Sequence, residues 1–519
     1  MTFPSKGCRT CKQRRVKCDE TRPTCNRCQK AKIVCQRPEE DSKYIFLSEN
    51  EYAVSERKRP RGPNVNTPSN FTSTKWQELS NTPDYASIQV MKRRSPEISP
   101  PLQVSLADQA LTYYSNFWVE APRYLPEIAE SHLKYITPIV CYSQPDSILS
   151  LAISAVSHAT FSRARKLHDA LAVASKKYSK ALLNMNLALT NATEAKHDDV
   201  IIAIMLLSFY ENCVVDKNSQ AASSEGIQVT GARSFAHHDG AMAVLKLRRR
   251  QDNCTKPSSD VDKLVRRQLI RSLLLRSLPI PAWLRNGEEY GESGFALALD
   301  KYMVEAAELR YQSSTQYSSE LSKPGSGSEQ VRLHGLLERA QNLDFALMIW
   351  AGNLPIEYSY SNRTVQVSEH VQTDEKIFDE TVHIYQTVAH AAIWNRYRAI
   401  RLTVNDIILK TITSITWSFG LAIDQADTKS VIQFLTDDMC ASIPYMLKLI
   451  DIHETTATPR PTSEISVKAT TAFLLAWPLA MTTMLSRIPG RHLRYLKSRL
   501  LDVSEIANDG VLERVAVGL

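Results

Sequence analysis

Residues 8–35 set the structure of the N-terminal region, and they read CRTCKQRRVKCDETRPTCNRCQKAKIVC. The six cysteines are spaced Cys8-x2-Cys11-x6-Cys18 and, 17 residues further on, Cys25-x2-Cys28-x6-Cys35, so the array is a direct repeat. A disulfide framework would require an oxidising compartment, and residues 1–7 lead into no apolar signal segment. We therefore interpret the six cysteines as reduced thiols that bind metal.

The number of ligands favours two zinc ions. Each half of the repeat offers three thiolates, one short of the tetrahedral shell of a structural zinc. Two Zn²⁺ ions need eight ligand positions, and six cysteines fill them only if two cysteines bridge. The repeat makes Cys8 and Cys25 the symmetric bridging pair. The terminal ligands would then be Cys11 and Cys18 on one ion, and Cys28 and Cys35 on the other.

Positive charge is concentrated in the same segment. Residues 1–37 hold eleven lysines and arginines against Asp19 and Glu20, a net charge of +9, whereas the whole chain carries +8. The other 482 residues therefore sum to −1. A short, strongly basic module is typical of proteins that bind a polyanion. A metallothionein-like metal store would lack these arginines, and a four-cysteine zinc ribbon would leave two thiols unexplained.

The array and its surroundings resemble the fungal binuclear zinc-cluster family. Besides the six cysteines, the resemblance rests on the basic run Lys12–Lys17, on Asp19 after the third cysteine and on Pro23 between the halves. It covers residues 8–35. It implies two Zn²⁺ ions held by the cysteines and a helix set in the major groove of DNA.

The resemblance also implies roles for the basic residues. Arg14 and Arg15 match the positions that approach base edges, commonly in a CGG triplet, and arginine is well suited to guanine O6 and N7. We assign six of the other basic side chains to phosphate, where they set register: Arg9, Lys12, Lys17, Arg22, Lys30 and Lys32. Because so short a segment has few aliphatic groups, metal must supply its folding energy.

Residues 38–104 combine proline, serine, asparagine and charge without sustained periodicity, which predicts a disordered linker. Basic patches within it are candidates for nuclear import signals, chiefly Arg57, Lys58, Arg59 and Arg61, with Lys92-Arg93-Arg94 as a second run. We find no three heptads of a dimerising coiled coil between Gln36 and Val104. A homodimer would therefore have to form through the C-terminal region.

The pattern of apolar residues over 105–510 predicts a large all-α domain. Asp146 is a candidate N-cap, and Val200–Leu207 is apolar on all sides, as in a helix at the centre of a bundle. Ser313–Ser328 is predicted to be an exposed loop. Further helical stretches lie near 227–250, 261–276, 292–311, 329–352, 374–411, 429–453 and 463–500.

Several local features resemble the fungal-specific regulatory domain that often accompanies these clusters. They are Gly240-Ala241, the run from Leu343 to Leu354-Pro355, Trp394–Arg398 with Arg401, and Trp477-Pro478-Leu479. The resemblance implies a regulatory role, sometimes in response to a metabolite. Trp394, Tyr397, Arg398 and Arg401 are interpreted as core aromatics and snorkelling arginines, with a ligand pocket as the alternative.

The sequence predicts no enzyme. His237, His238 and Asp239 lack the spacing of a catalytic metal site and are interpreted as a helix-terminal surface group, and no P-loop, dinucleotide fingerprint or nucleophile elbow is present. The lone cysteines, such as Cys213 and Cys440, are interpreted as small buried hydrophobic residues.

We predict a nuclear, zinc-dependent transcription factor that binds double-stranded DNA, regulates RNA polymerase II genes and reads CGG-type half-sites. Control of a metabolic or secondary-metabolite gene cluster is one role it would suit. Its partners would include the transcription machinery but no membrane. Formation of a homodimer and binding of a small-molecule effector are left open. Two alternatives remain: an enzyme that carries a zinc-cluster targeting module, and a zinc module that contacts protein.

Overall fold

The computed structural model describes most of the chain outside the predicted linker. The described residues are 8, 10–11, 14, 16–21, 23–35, 104–119, 144, 146–215, 227–249, 260–319, 327–365, 376–421, 423–451, 459–462 and 467–518. The chain divides into two units, Met1–Glu97 and Ile98–Leu519. Linker residues 38–103, and with them Arg57, Lys58, Arg59, Arg61 and the run 92–94, lie outside the described residues.

The first unit is small and contains helix α1, Asn26–Lys30. Thr10 and Cys11 form a helical turn in the first half of the repeat. Four cysteines are fully buried, and Cys18 and Cys35 pack against them. The buried four, called the inner cysteines below, are Cys8, Cys11, Cys25 and Cys28. Sulfur atoms, not aliphatic groups, therefore form the centre of this unit.

The second unit is built from helices, as the sequence predicts. They are α2 (Leu106–Tyr114), α3 (Ile148–Arg165), α4 (His168–Thr190), α5 (Asp198–Val214), α6 (Ile227–Thr230), α7 (Ala232–Arg249), α8 (Asp260–Arg276), α9 (Ala282–Arg285), α10 (Gly294–Ser319), α11 (Gly327–Gly352), α12 (Val388–Phe419), α13 (Ala426–Met446), α14 (Ala469–Phe473), α15 (Ala476–Thr483), α16 (Gly490–Ala507) and α17 (Gly510–Gly518). Helix α17 extends beyond the predicted boundary at residue 510. No helix among the described residues has the length and apolarity to cross a membrane.

Helix α5 lies in the core of this unit. Every residue from Val200 to Leu207 is buried, which confirms the prediction of a central helix. Asp198 and Asp199 lie in its first turn, where carboxylates interact favourably with the helix dipole. Cys213 and Cys440 are both buried, as expected of lone cysteines.

Among the residues that the structure describes, two short antiparallel ribbons depart from the all-α class. Strand β1 (Tyr360–Thr364) pairs with β2 (Thr381–Tyr385), and β3 (Ile450–Asp451) pairs with β4 (Arg460–Pro461). The predicted helical stretch 374–411 is therefore wrong over its first part. The sequence of β2, Thr-Val-His-Ile-Tyr, is rich in β-branched and aromatic residues, which suit a strand.

Two other local predictions are wrong. The segment Ser313–Ser328 is not a loop over its described ends, because α10 continues to Ser319 and α11 begins at Gly327. The Ser314 and Thr315 hydroxyls donate to the carbonyl of Tyr311, so these polar side chains are accommodated within the helix. The N-cap of α3 is Ser147, whose hydroxyl accepts from the Ser150 N–H at 3.2 Å, and not Asp146.

Candidate metal centre and DNA-contact face

The six cysteine sulfurs lie in two overlapping groups of four. Within each group all ligand atoms are within 4.8 Å of one another. One group is Cys8, Cys11, Cys18 and Cys25, and the other is Cys8, Cys25, Cys28 and Cys35. Cys8 and Cys25 belong to both, and their sulfurs are 3.7 Å apart. This is the arrangement that two tetrahedral sites with two shared ligands require.

The backbone around the sulfurs repeats with the sequence. The N–H of Cys8 donates to Cys18 Sγ at 3.4 Å, and the N–H of Cys25 donates to Cys35 Sγ at 3.5 Å. The Cys11 N–H donates to Cys8 Sγ at 3.3 Å, and the Cys28 N–H donates to Cys25 Sγ at 3.4 Å. Equivalent donors therefore hold equivalent sulfurs in the two halves.

The N–H donors lower the pKa of a cysteine thiol, whereas burial raises it. The hydrogen bond from the Cys8 N–H lowers the pKa of Cys18 to about 7. Burial, with hydrogen bonds from neighbouring sulfurs, raises the pKa of Cys11 to about 12. Cysteine coordinates metal as thiolate, so metal binding would be coupled to proton release from the inner sulfurs.

Two polar contacts join the halves of the repeat. The Thr10 hydroxyl donates to the Val34 carbonyl at 2.8 Å. The Asp19 carboxylate accepts from the Asn26 N–H at 3.0 Å and from the Thr21 hydroxyl at 2.7 Å. These donors lower the pKa of Asp19 to about 2, with the Thr21 hydroxyl the largest cause. Asp19 is thus a helix-capping residue for α1, a role that the sequence reading did not assign to it.

The predicted DNA contacts are described in part. Arg14, Lys17, Lys30 and Lys32 are exposed, as a contact surface requires. The Arg14 N–H donates to the Thr10 carbonyl at 3.2 Å, which places Arg14 on the turn that carries Cys11. The remaining candidates lie outside the described residues: Arg9, Lys12, Arg15 and Arg22.

The shared sulfur pair and the repeated N–H···S bonds are the geometry of a binuclear thiolate cluster. Residues 6–44 match the Fungal Zn(2)-Cys(6) binuclear cluster domain. The Zn(2)-Cys(6) domain binds two zinc ions, and the residues present fit them because six thiols form two complete quartets.

One curated relative extends the similarity beyond the cysteines. The chain is 36% identical over 115 residues to Sterol uptake control protein 2 of Candida albicans. The match covers 21% of this chain and 16% of the relative, so it spans about a sixth of that protein's length. No solved structure matches the chain.

The polar group near His237 lies inside the helical unit, so its interpretation as a helix-terminal surface group is wrong. His238 is buried in the middle of α7, between the Ser208 hydroxyl at 3.0 Å and the Ser272 hydroxyl at 2.9 Å. Asp239 remains exposed and pairs with Arg276 at 2.9 Å. These contacts bind neighbouring helices together.

The arginines near Trp394 do not snorkel. Arg398 is fully buried and donates to the Tyr385 hydroxyl at 2.8 Å and to Asp438 at 3.2 Å. Arg401 forms a bidentate pair with Asp344, at 2.7 and 3.1 Å. Tyr397 is buried, as predicted for a core aromatic residue.

Proposed function

We propose that this protein is a zinc-dependent, sequence-specific transcription factor that regulates RNA polymerase II genes. The observation that carries the proposal is the pair of sulfur quartets that share Cys8 and Cys25, within a segment matching the Zn(2)-Cys(6) domain. The name of the curated relative concerns control of sterol uptake, which is in line with a role in metabolic gene control. For this chain the regulated genes would be metabolic, or those of a secondary-metabolite cluster.

The proposed zinc ligands are the six cysteines. Cys8 and Cys25 would bridge, Cys11 and Cys18 would complete one shell, and Cys28 and Cys35 would complete the other. The metal supplies fixed tetrahedral cross-links when bound, in a segment whose centre is sulfur. The surrounding N–H groups and the Asp19 cap orient the thiolates and the start of α1.

DNA reading is assigned to the basic residues of the first half. Arg14 and Arg15 would contact guanine in CGG-type half-sites, since a bidentate arginine–guanine contact contributes about 1–3 kcal/mol of discrimination. The phosphate contacts would come from six further basic side chains in both halves of the repeat: Arg9, Lys12, Lys17, Arg22, Lys30 and Lys32.

The other assignments follow from this activity. The protein would act in the nucleus, with import through Arg57, Lys58, Arg59 and Arg61, and would contact the transcription machinery. Residues 105–510 would be the fungal-specific regulatory domain, and residues 38–104 would link it to the domain at residues 1–37. A homodimer would pair through the helical region, because no heptad segment precedes it.

Binding to a set of duplexes tests the proposal. Wild-type protein should bind a CGG-containing duplex in preference to a scrambled one, and a zinc chelator should abolish that preference. Arg14→Ala and Arg15→Ala should reduce the preference about tenfold or more, while Arg233→Ala, at a side chain 85% exposed in the helical unit, should not.

The two alternative functions make different predictions. A zinc module that contacts protein would leave DNA binding intact in Arg14→Ala and Arg15→Ala. An enzyme with a targeting module would retain turnover after Cys→Ser changes in the cluster. Genome-wide mapping of bound sites would then return the recognition sequence and the regulated pathway.

A further inference from the structure

The helical unit contains a cavity of about 130 Å³. One wall is aromatic: the Trp118 ring lies 4.7 Å from Phe209 and 5.3 Å from Phe473, measured between centroids, in edge-on arrangements. Trp477 also lines the cavity, and its indole N–H donates to the carbonyl of Arg271 at 3.3 Å. A cavity of this size with an apolar wall suits a small aromatic molecule.

Two arginines, Arg271 on α8 and Arg396 on α12, line the same cavity. They also border a smaller adjoining gap together with Arg267, Glu292 and Asp300. This end of the cavity is therefore cationic, whereas the wall around Trp118 is apolar.

The carboxylates nearby are already engaged by other arginines. Arg266 forms a bidentate pair with Asp300, with both distances 2.8 Å, and Arg267 forms one with Glu292, with both distances 2.6 Å. Arg271 donates through Nε to the Arg267 carbonyl at 3.1 Å and makes no salt bridge with any residue that the structure describes. Its two terminal nitrogens are the donors left for a ligand.

The positive charge at this end is costly to the folded chain. Burial, then the proximity of Arg396 and Arg267, lowers the pKa of Arg271 well below its usual value. Burial likewise lowers the pKa of Arg396 to about 10. A guanidinium remains protonated at neutral pH even so, and the charge of Arg271 would gain from an anionic ligand because Arg271 makes no salt bridge with the described residues.

We propose that this cavity binds a small amphipathic carboxylic acid, with its apolar or aromatic body against Trp118, Phe209 and Phe473 and its carboxylate on Arg271 and Arg396. The fork of a guanidinium matches the two oxygens of a carboxylate. The site goes beyond DNA recognition, and its ligand can be tested without DNA.

The experiment uses the zinc-loaded full chain and two probes, 1-naphthoate and its neutral amide. Titration calorimetry, checked by quenching of tryptophan fluorescence, should show that naphthoate binds and that the amide binds at least about tenfold more weakly, because the charged hydrogen bond is lost. Arg271→Gln should remove that preference by weakening naphthoate alone. Arg271→Lys, which keeps the charge without the fork, should retain part of it.

The matched control is Arg233→Gln, because Arg233 is 85% exposed and does not line the cavity. It should bind naphthoate as the wild type does. Thermal melting without ligand separates binding from folding, since Arg271→Gln removes a partly buried charge that makes no salt bridge with the described residues and should leave Tm unchanged or raised. The proposal is overturned if neither probe binds, if both bind equally, or if Arg271→Gln binds naphthoate normally. A fall in Tm in both Arg271 variants would show instead that the side chain is structural, which also overturns it.

Discussion

Cys8 and Cys25 differ from the other four cysteines in one respect: each contributes to both sulfur quartets. The remaining cysteines contribute to one quartet each. A substitution at a shared position therefore removes a ligand from two sites, whereas a substitution at a terminal position removes one from a single site. The consequence for zinc content should differ accordingly.

We expect Cys8→Ser to lose both zinc ions and Cys18→Ser to retain close to one. The physical reason is that tetrahedral zinc with a missing thiolate is weakly held, and Cys18 lies in one quartet only. The number of zinc ions per chain, measured by inductively coupled plasma mass spectrometry, checks this prediction. Cys213→Ala, at a buried thiol of the helical unit, is the control and should keep two ions. Equal zinc content in the two serine variants would contradict the bridging assignment.

Helix ends show how side chains hold the helical unit together. Asp509 precedes α17 and accepts from the N–H groups of Val511 at 2.9 Å and Leu512 at 3.0 Å. Its second oxygen accepts from the Asn212 side chain on α5, also at 2.9 Å. One carboxylate thus caps one helix and attaches it to another.

Asp509→Ala should lower the free energy of unfolding by about 1–2 kcal/mol, because the cap is lost, and leave the Asn212 amide without its partner. Urea denaturation followed by circular dichroism measures the change. The control is Asp427→Ala, since Asp427 lies exposed in the first turn of α13, whose cap makes no side-chain hydrogen bond. It should change stability by less than about 0.5 kcal/mol.

His383 connects β2 to the buried arginine of α12. Arg398 lies 3.3 Å from its Nδ1, Tyr385 adds a hydroxyl at 3.2 Å, and Asp438 lies 3.6 Å from its Nε2. Burial and then the charge of Arg398 lower the pKa of His383 to about 3. The charge of Asp438 is shared with Arg398 and with the Tyr360 hydroxyl, so it does not offset this.

The helical unit should therefore lose stability as pH falls below about 6.5. Below that value the unfolded chain takes up a proton on His383 and the folded chain does not until near pH 3, so the contribution declines by up to about 1.4 kcal/mol per pH unit. His383→Gln should show a smaller loss between pH 6.5 and pH 5 in urea titrations. His334→Gln, at an exposed histidine, should follow the wild type. Identical slopes in all three proteins would refute a neutral His383.

Charge is divided unevenly along the chain, with +9 in residues 1–37 and −1 in the rest. Six thiolates and two Zn²⁺ ions would bring the first segment to +7. Binding to DNA should therefore depend on this segment and should release counterions in proportion to its phosphate contacts.

With six side chains assigned to phosphate, the logarithm of the affinity should fall with the logarithm of salt concentration at a slope of about −5. Lys30→Ala combined with Lys32→Ala should make the slope shallower by about two. Fluorescence anisotropy over a range of salt concentrations measures both. Arg233→Ala, which removes one positive charge outside this segment, is the control and should leave the slope unchanged. A slope near zero in the wild type would exclude phosphate binding by this segment.

Sequence alone specified the metal site because its information is local. The repeat Cys8–Cys35 predicts two quartets with a shared pair, since ligand number and tetrahedral geometry leave few other solutions. The all-α class and the central helix at Val200–Leu207 are likewise visible in periodicity. The metal site and the helices could be predicted because each depends on the spacing of residues within one segment of the chain.

Contacts between distant segments were decided only by tertiary packing. Arg271 and Arg396 are 125 positions apart, and nothing in either neighbourhood of the sequence indicates that they line one cavity with Trp118. The burial of His238 and Arg398 was also missed, because a local pattern does not show which partners will satisfy a polar group. A buried polar or charged side chain finds its partners on other helices, and only the folded core brings those helices together.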